Sequence, residues 1–160
     1  MQIYIDCDGV LFNTNELLKN EYNSTNLTKE EKIKIINWQE LLKNSLVLDN
    51  SINIIKKYNY KNVHILTKIH TIEEAEEKLK FLRKKGLKNC IIFVPKNANK
   101  SDIVNAKNNI LVDDDLNNLL CWKQAGGISI YYGKAINEFP KIKNLEEILN
   151  SEKLQKYLEI

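Results

Sequence analysis

Five short runs rich in β-branched and aromatic residues recur along the chain: "QIYID" (2–6), "NVHILT" (62–67), "NCIIFV" (89–94), "NNILVD" (108–113) and "GISIYY" (127–132). Segments of helical spacing lie between them, and this alternation constrains the fold more than any other feature. Strands that return after a helix pair in parallel through right-handed βαβ units. The expected fold class is therefore α/β, a three-layer α/β/α sandwich on a parallel sheet. The helices carry their own punctuation. "TIEEAEEKLKFLRKKG" (71–86) opens on Thr71 as N-cap, has acidic residues in its first turn and basic ones in its last, and stops at Gly86. "DLNNLLCWKQAGG" (115–127) repeats the plan, with Asp115 capping and Gly126 and Gly127 ending the helix.

Residues 13–47, "NTNELLKNEYNSTNLTKEEKIKIINWQELLKNSLV", break the rhythm. They read as helical twice over, with no strand, and Thr28 followed by Glu31 forms a capping box before the second helix. Because this segment follows the first strand directly, a small helical cap is expected over the carboxyl end of the sheet, where open α/β sheets bind ligands.

The chain has 160 residues, 43% hydrophobic and 28% charged, as expected of one domain spanning 1–160. Its net charge of +3 is spread along the chain, so no one-sided footprint for a nucleic acid polymer is formed. The cysteines, Cys7, Cys90 and Cys121, are odd in number and without C-x-x-C spacing, which argues against a disulfide framework or structural zinc. No signal pattern opens the chain and no apolar run approaches the ~18 residues of a membrane span, so no membrane partner and a cytoplasmic location are expected. A monomer and a homodimer are both compatible with the sequence.

Two carboxylates, Asp6 and Asp8, end the first run. Strand alternation puts them on one side of the chain and turns Cys7 into packing, while Gly9 lets the backbone bend where a ligand comes close. Two carboxylates at ~4 Å repel by about 4 kcal/mol at an effective dielectric of 20, so the pair calls for a cation or a shared proton. An EF-hand loop does not fit, since Gly9 comes too early and a strand enters the loop. Alone, the pair would be an acidic turn. "NNILVDDDLNNL" (108–119) changes that, because a second strand ending in carboxylates brings Asp113 or Asp114 beside the first. While the strand continues, alternation allows at most one of these two to aim at Asp6, and Asp115 is accounted for as a cap. An oxygen-only set of ligands suits Mg2+ better than zinc. Thr67 ends another strand. Lys96 and Lys100 follow a third, with Ser101 or Asp102 as the cap of the next helix. His64 on its strand and His70 in its loop have no third nitrogen or thiolate ligand nearby, so neither is read as a metal ligand.

The order "DCDGV", "ILT", lysine and "LVDDD" resembles the four motifs of the haloacid dehalogenase (HAD) superfamily of phosphohydrolases over nearly the whole chain. Within it, "DCDGVLF", "ILTK" and "NKSDIVNAKNNILVDDD" look most like the cytosolic-type 5'(3')-deoxyribonucleotidases. Two departures stand out: a shorter insertion, and Asp115 where that family often has Arg.

The resemblance implies a HAD-like Rossmannoid fold and a phosphatase. In that reading Asp6 attacks phosphorus to form an aspartyl-phosphate, and Asp8 protonates the leaving oxygen and then activates water. Mg2+ is held by Asp6, the Asp8 main-chain carbonyl and Asp113 or Asp114. Thr67, Lys68, Lys100 and the amides of Gly9 and Val10 hold the transferring oxygens, with Lys96 as the alternative lysine. The implied partner is a small phosphorylated metabolite, foremost a nucleoside monophosphate. Phe12, Tyr22 and Trp38 are the candidates for stacking on a base, although Trp38 with Leu41 and Leu42 also reads as the core of the insertion. The alternatives are a phosphatase of sugar phosphates, a phosphotransferase and a non-catalytic nucleotide binder on the same fold.

Overall fold

The computed structural model describes residues 1–23, 26–58 and 61–158. In chain order these form β1 (Ile3–Ile5), α1 (Thr14–Asn23), α2 (Lys29–Ile35), α3 (Trp38–Asn44), α4 (Ser51–Lys57), β2 (Val63–Ile69), α5 (Ile72–Lys84) and β3 (Cys90–Pro95). There follow α6 (Lys100–Ile103), β4 (Ile110–Asp113), α7 (Leu116–Gln124), β5 (Ile128–Tyr132), β6 (Lys141–Ile142), α8 (Glu146–Leu149) and α9 (Ser151–Leu158). No helix among the described residues is long and apolar enough to cross a membrane.

The strands make one sheet in the order β3-β2-β1-β4-β5-β6, with every pairing parallel. Alternation along the central strands divides the core in two. Ile3, Ile5, Ile110 and Val112 join Ile52 and Ile55 of α4, Leu82 of α5 and Ile148 and Leu149 of α8 on one face. Tyr4 and Leu111 join Leu119 and Trp122 of α7 on the other. Helices thus cover both faces, which is the expected three-layer sandwich. The sixth strand is two residues long, too short to leave a periodic signal in the sequence.

From β1 the chain steps outward through β2 to β3, then crosses back through α6 to β4 and continues outward on the other side. The reversal falls between β1 and β4. In open α/β sheets the crevice outside the strand carboxyl ends at such a switch point is where ligands bind. Asp6 follows β1 immediately, and Asp113 is the last residue of β4.

The segment after β1 holds three helices, where two were expected: the run read as one helix after Thr28 divides at Ile36 and Asn37, and Asn37 caps α3. The Thr28–Glu31 capping box is present on α2. The two ends of the insertion meet in a narrow neck. The Leu48 N–H donates to the Leu11 carbonyl at 2.9 Å, Asn13 N–H donates to the Leu46 carbonyl at 3.1 Å, and the Ser51 hydroxyl donates to Leu11 at 3.0 Å. Leu18, Trp38 and Leu41 form its own small core. Leu42 is also buried but stands outside that cluster.

Trp122 pins α7 to the sheet below Asp113. Its indole N–H donates to the Asn109 carbonyl at 3.0 Å, its ring meets Tyr4 edge-on at 5.4 Å, and Gly127 leaves no room for a Cβ against it. Trp122→Ala is expected to cost about 3–5 kcal/mol in urea unfolding, as for other buried aromatic truncations. A loss under about 1 kcal/mol would mean that α7 is anchored elsewhere.

Candidate active site

Short, apolar β1 and β4 deliver Asp6 and Asp113 to the mouth of the sheet, where both carboxylates are buried. Lys100 joins them. Its ammonium donates to Asp6 Oδ1 at 2.7 Å and to Asp113 Oδ2 at 2.6 Å, and the lysine is 2% exposed. Asn99, not Ser101 or Asp102, caps this one-turn helix; its N–H donates to Asp102 Oδ2 at 2.8 Å, which makes Lys100 the first helical residue. Lys96 is exposed in the turn after β3. Between the two candidate lysines, the geometry brings Lys100 to the aspartates.

Asp113 is fully buried and its two oxygens are fixed from several sides. Oδ1 accepts the Asp115 N–H at 2.9 Å, and Oδ2 accepts Asn118 Nδ2 at 3.0 Å besides Lys100. Asp114 follows the end of β4, where strand alternation no longer applies. One oxygen from each of Asp6, Asp113 and Asp114 lies within 4.8 Å of the others, so the limit of one carboxylate facing Asp6, which holds only while the strand continues, does not apply here. Asp115 caps α7 through bonds to the N–H groups of Asn117 and Asn118. Gly9 adopts φ +80°, and a Cβ there would overlap the Asp114 carboxylate and stand 2.8 Å from Asn15 Nδ2. Only glycine permits both that turn and that approach.

Asp8 faces a different cation. β1 ends at Ile5, so alternation does not carry as far as Asp8, and Asp6 and Asp8 are not paired on one lysine as a continuous strand would suggest. The Lys78 ammonium donates to Asp8 Oδ2 at 2.6 Å and to the Lys68 carbonyl at 3.2 Å, and forms an ion pair with Glu74 Oε1 at 2.6 Å. The Thr14 hydroxyl donates to Asp8 Oδ1 at 2.5 Å and the Thr67 hydroxyl to Oδ2 at 3.3 Å. Asn15 Nδ2 donates to Asp114 Oδ2 at 3.1 Å. The first turn of α1 thus reaches both ends of the site.

Other expected anion donors are otherwise engaged. The Gly9 N–H donates to the Phe12 carbonyl at 2.7 Å and the Val10 N–H to Cys7 at 3.4 Å, while the Val10 side chain sits in the core. Both amides are spent closing the loop. Lys68 is half-buried on β2 and enters the site through its carbonyl. Of the base-stacking candidates, Phe12 is fully buried against Phe81 with ring centroids 4.8 Å apart, and Trp38 is 2% exposed. The Tyr22 side chain lies outside the described residues. His64 Nε2 contacts Gln2 Oε1 at 2.7 Å, and His70 stacks on Trp38.

The sequence reading missed Lys78, Glu74, Thr14, Asn15 and Asn118. For the first two a signal existed: Glu74 and Lys78 stand at i and i+4 in line with Leu82, so all three share the buried face of α5.

Five carboxylates, Asp6, Asp8, Glu74, Asp113 and Asp114, meet two ammonium groups here. Burial pushes the Asp6 carboxyl well up, which Lys100 opposes and Asp113 reinforces. Burial also raises Asp8, but Lys78 and the Thr14 hydroxyl outweigh it and hold the group below its ordinary value. Asp114 is pushed up to about 7, by burial first and by the Asp113 charge second. The folded chain therefore binds a proton at Asp114 that an unfolded carboxyl, with its ordinary value of 3.8, gives up earlier. Stability drains as pH rises through that window. With divalent metal chelated, Asp114→Asn should raise Tm at about pH 8, with the gain shrinking on acidification and gone below about pH 4. An equal gain at both ends of the range would show that charge at Asp114 is not the cause.

No protein-family model matches the sequence, and no curated protein matches it. Solved structures do. A HAD-superfamily hydrolase of subfamily IA from Geobacter sulfurreducens superposes with a TM-score of 0.65 at 14% identity, covering 93% of this chain and 97% of that one. A beta-phosphoglucomutase from Clostridium difficile gives 0.61 at 13% identity, covering 99% of each chain. A D,D-heptose 1,7-bisphosphate phosphatase from Burkholderia thailandensis gives 0.56 at 12%, covering 97% of each. The chain has the Rossmann-like α/β fold of HAD-superfamily hydrolases.

Proposed function

We propose that this protein is a magnesium-dependent hydrolase of small phosphomonoesters that works through an aspartyl-phosphate on Asp6. The observation that carries the reading is the Lys100 ammonium held between Asp6 and Asp113, with Asp114 completing a group of three carboxylates beside it. Oxygen-only donors and an excess of buried negative charge suit Mg2+. Asp6, Asp113 and Asp114 would hold it, and the ion supplies charge screening between the Asp6 nucleophile and the phosphate.

In the first half-reaction an Asp6 oxygen attacks phosphorus and the ester P–O bond breaks. A substrate bound as its monoanion brings the proton that Asp8 carries to the leaving oxygen. In the second, Asp8 takes a proton from the attacking water, the bond between Asp6 and phosphorus breaks, and Asp8 passes the proton to the departing phosphate, which leaves as dihydrogen phosphate with both carboxylates restored. The Thr67 hydroxyl and Lys100 would turn from their carboxylate partners to hold the non-bridging oxygens, with Lys68 as a further cation. The helical insertion acts as a cap over the site.

Phe12 and Trp38 are committed to packing, so neither offers a face to a nucleobase. This favours sugar phosphates and similar small esters over the nucleoside monophosphates that the deoxyribonucleotidase resemblance suggests. The phosphoglucomutase and heptose bisphosphate phosphatase among the fold relatives point the same way.

Phosphate release from a panel of sugar and nucleoside monophosphates, with and without Mg2+, tests the reading. Turnover should require the metal, favour the sugar esters, and fall about a thousandfold or more in Asp6→Asn. Release that persists in Asp6→Asn would overturn the mechanism. A preference for nucleotides would restore the nucleotidase reading. Transfer of the group to a sugar hydroxyl without phosphate release would indicate a phosphotransferase.

A further inference from the structure

Asp8 is held by a chain of buried groups that runs away from the phosphate site and ends in the cap. Lys78, 1% exposed, has three donors, and each has an acceptor: Asp8 Oδ2, Glu74 Oε1 and the Lys68 carbonyl. Glu74, also 1% exposed, uses its other oxygen, Oε2, to accept the His70 N–H at 2.6 Å and the His70 ring Nδ1 at 3.0 Å. A carboxylate only accepts, so Nδ1 carries the proton of that bond. The opposite side of the His70 picture belongs to the cap: its ring stacks on Trp38 of α3, with centroids 6.0 Å apart and an interplanar angle of 18°. Trp38 is itself part of the cap's core.

Packing alone does not call for this arrangement. A buried ion pair is weak evidence for stability, because apolar side chains of similar size do as well or better, whereas a pair with one member removed is costly. α5 nevertheless places a glutamate and a lysine on the face it shares with Leu82, and aims both away from solvent. What the chain does achieve is rigidity at one atom. With all three donors of Lys78 occupied and Glu74 gripped from its far side, Asp8 Oδ2 has a fixed partner, while Thr14 fixes Oδ1.

We infer that Glu74, Lys78 and His70 are positioning residues for Asp8 and that the stack of His70 on Trp38 ties the seating of the cap to the orientation of that carboxylate. The inference rests on the assignment of Asp8 as the group that moves protons in phosphoryl transfer. Its consequence is selective. An alkyl phosphate needs a proton delivered to its leaving oxygen, whereas the p-nitrophenolate of p-nitrophenyl phosphate leaves without one; water attack on the aspartyl-phosphate needs Asp8 whichever ester formed it. The difference therefore lies in kcat/KM, which covers the steps through departure of the leaving group, and there misplacing Asp8 should hurt the first ester far more than the second.

The test compares kcat and KM of the wild type, Glu74→Gln and His70→Asn on a sugar phosphate and on p-nitrophenyl phosphate, with Mg2+ present and folding checked by thermal melts. His70→Asn retains the backbone N–H and a short side-chain donor but loses the stack; Glu74→Gln retains shape but loses the charge. The expected result is a loss of about tenfold or more in kcat/KM on the sugar phosphate and less than threefold on p-nitrophenyl phosphate. Equal losses of kcat/KM on both esters, or no loss on either, would overturn the inference and leave the chain a structural support. Should Glu74→Gln melt below the assay temperature, His70→Asn, on the half-buried end of the chain, decides alone. Failure of the underlying mechanism shows separately, as wild-type turnover that does not depend on Asp6.

Discussion

The Lys100 ammonium, 2.7 Å from Asp6 and 2.6 Å from Asp113, is the interaction on which the rest of the site depends. Carboxylates ~4 Å apart repel by about 4 kcal/mol at an effective dielectric of 20, and both of these are buried. Two strands carrying such groups side by side at their ends need a cation or a shared proton between them, and Lys100 supplies the cation. Lys78 does the same for Asp8 and Glu74 on the other face of the sheet. Each lysine is nearly inaccessible, so its own desolvation is offset by two carboxylates, and proximity to those charges keeps both ammonium groups protonated well beyond their ordinary range. Burial first, and the neighbouring Asp113 charge second, leave the Asp114 carboxyl holding its proton to about 7. A divalent cation is the natural complement to the surplus of carboxylates over ammonium groups.

The topology explains why these groups meet at all. A sheet that grows in both directions from its centre leaves a crevice between β1 and β4, and the residues just past those strands face into it. The cap leaves and rejoins the core through one neck beside that crevice. The first turn of α1 contributes Thr14 and Asn15 to the aspartates, and α3 reaches back to His70. The insertion and the core around the carboxylates are therefore linked at two places, one through hydrogen bonds and one through a ring stack.

Much of this was legible in the sequence. Asp6 and the Asp113–Asp114 pair could be brought to one edge of the sheet because they stand at strand ends, where periodicity speaks directly; Lys100 was one of two candidate lysines, beside Lys96, and its helix is capped by Asn99 instead of the expected Ser101 or Asp102. The capping of α5 by Thr71 and of α7 by Asp115 followed from capping rules. Where regular structure stopped, so did the reading. Asp8 and Asp114 lie past the ends of β1 and β4, and alternation no longer says which way they point. Lys78 and Glu74 were overlooked because charged residues on an amphipathic helix are ordinarily solvated, while Ile72 and Leu79, the apolar residues one would bury, are exposed. Tertiary pairing with Asp8 reversed that preference. The third helix of the insertion was hidden because Asn37 both breaks one helix and caps the next without a glycine or proline to mark the place.

The central claim is that Asp6 itself carries the phosphoryl group. Rapid acid quench of the working enzyme on a labelled phosphomonoester, followed by peptide mapping, tests it most directly. The account predicts a label that is stable in acid, released by hydroxylamine as expected of an acyl phosphate, and confined to the peptide containing Asp6. Label on another residue, or steady turnover with none trapped on the protein while Asp6→Asn stays active, would contradict it.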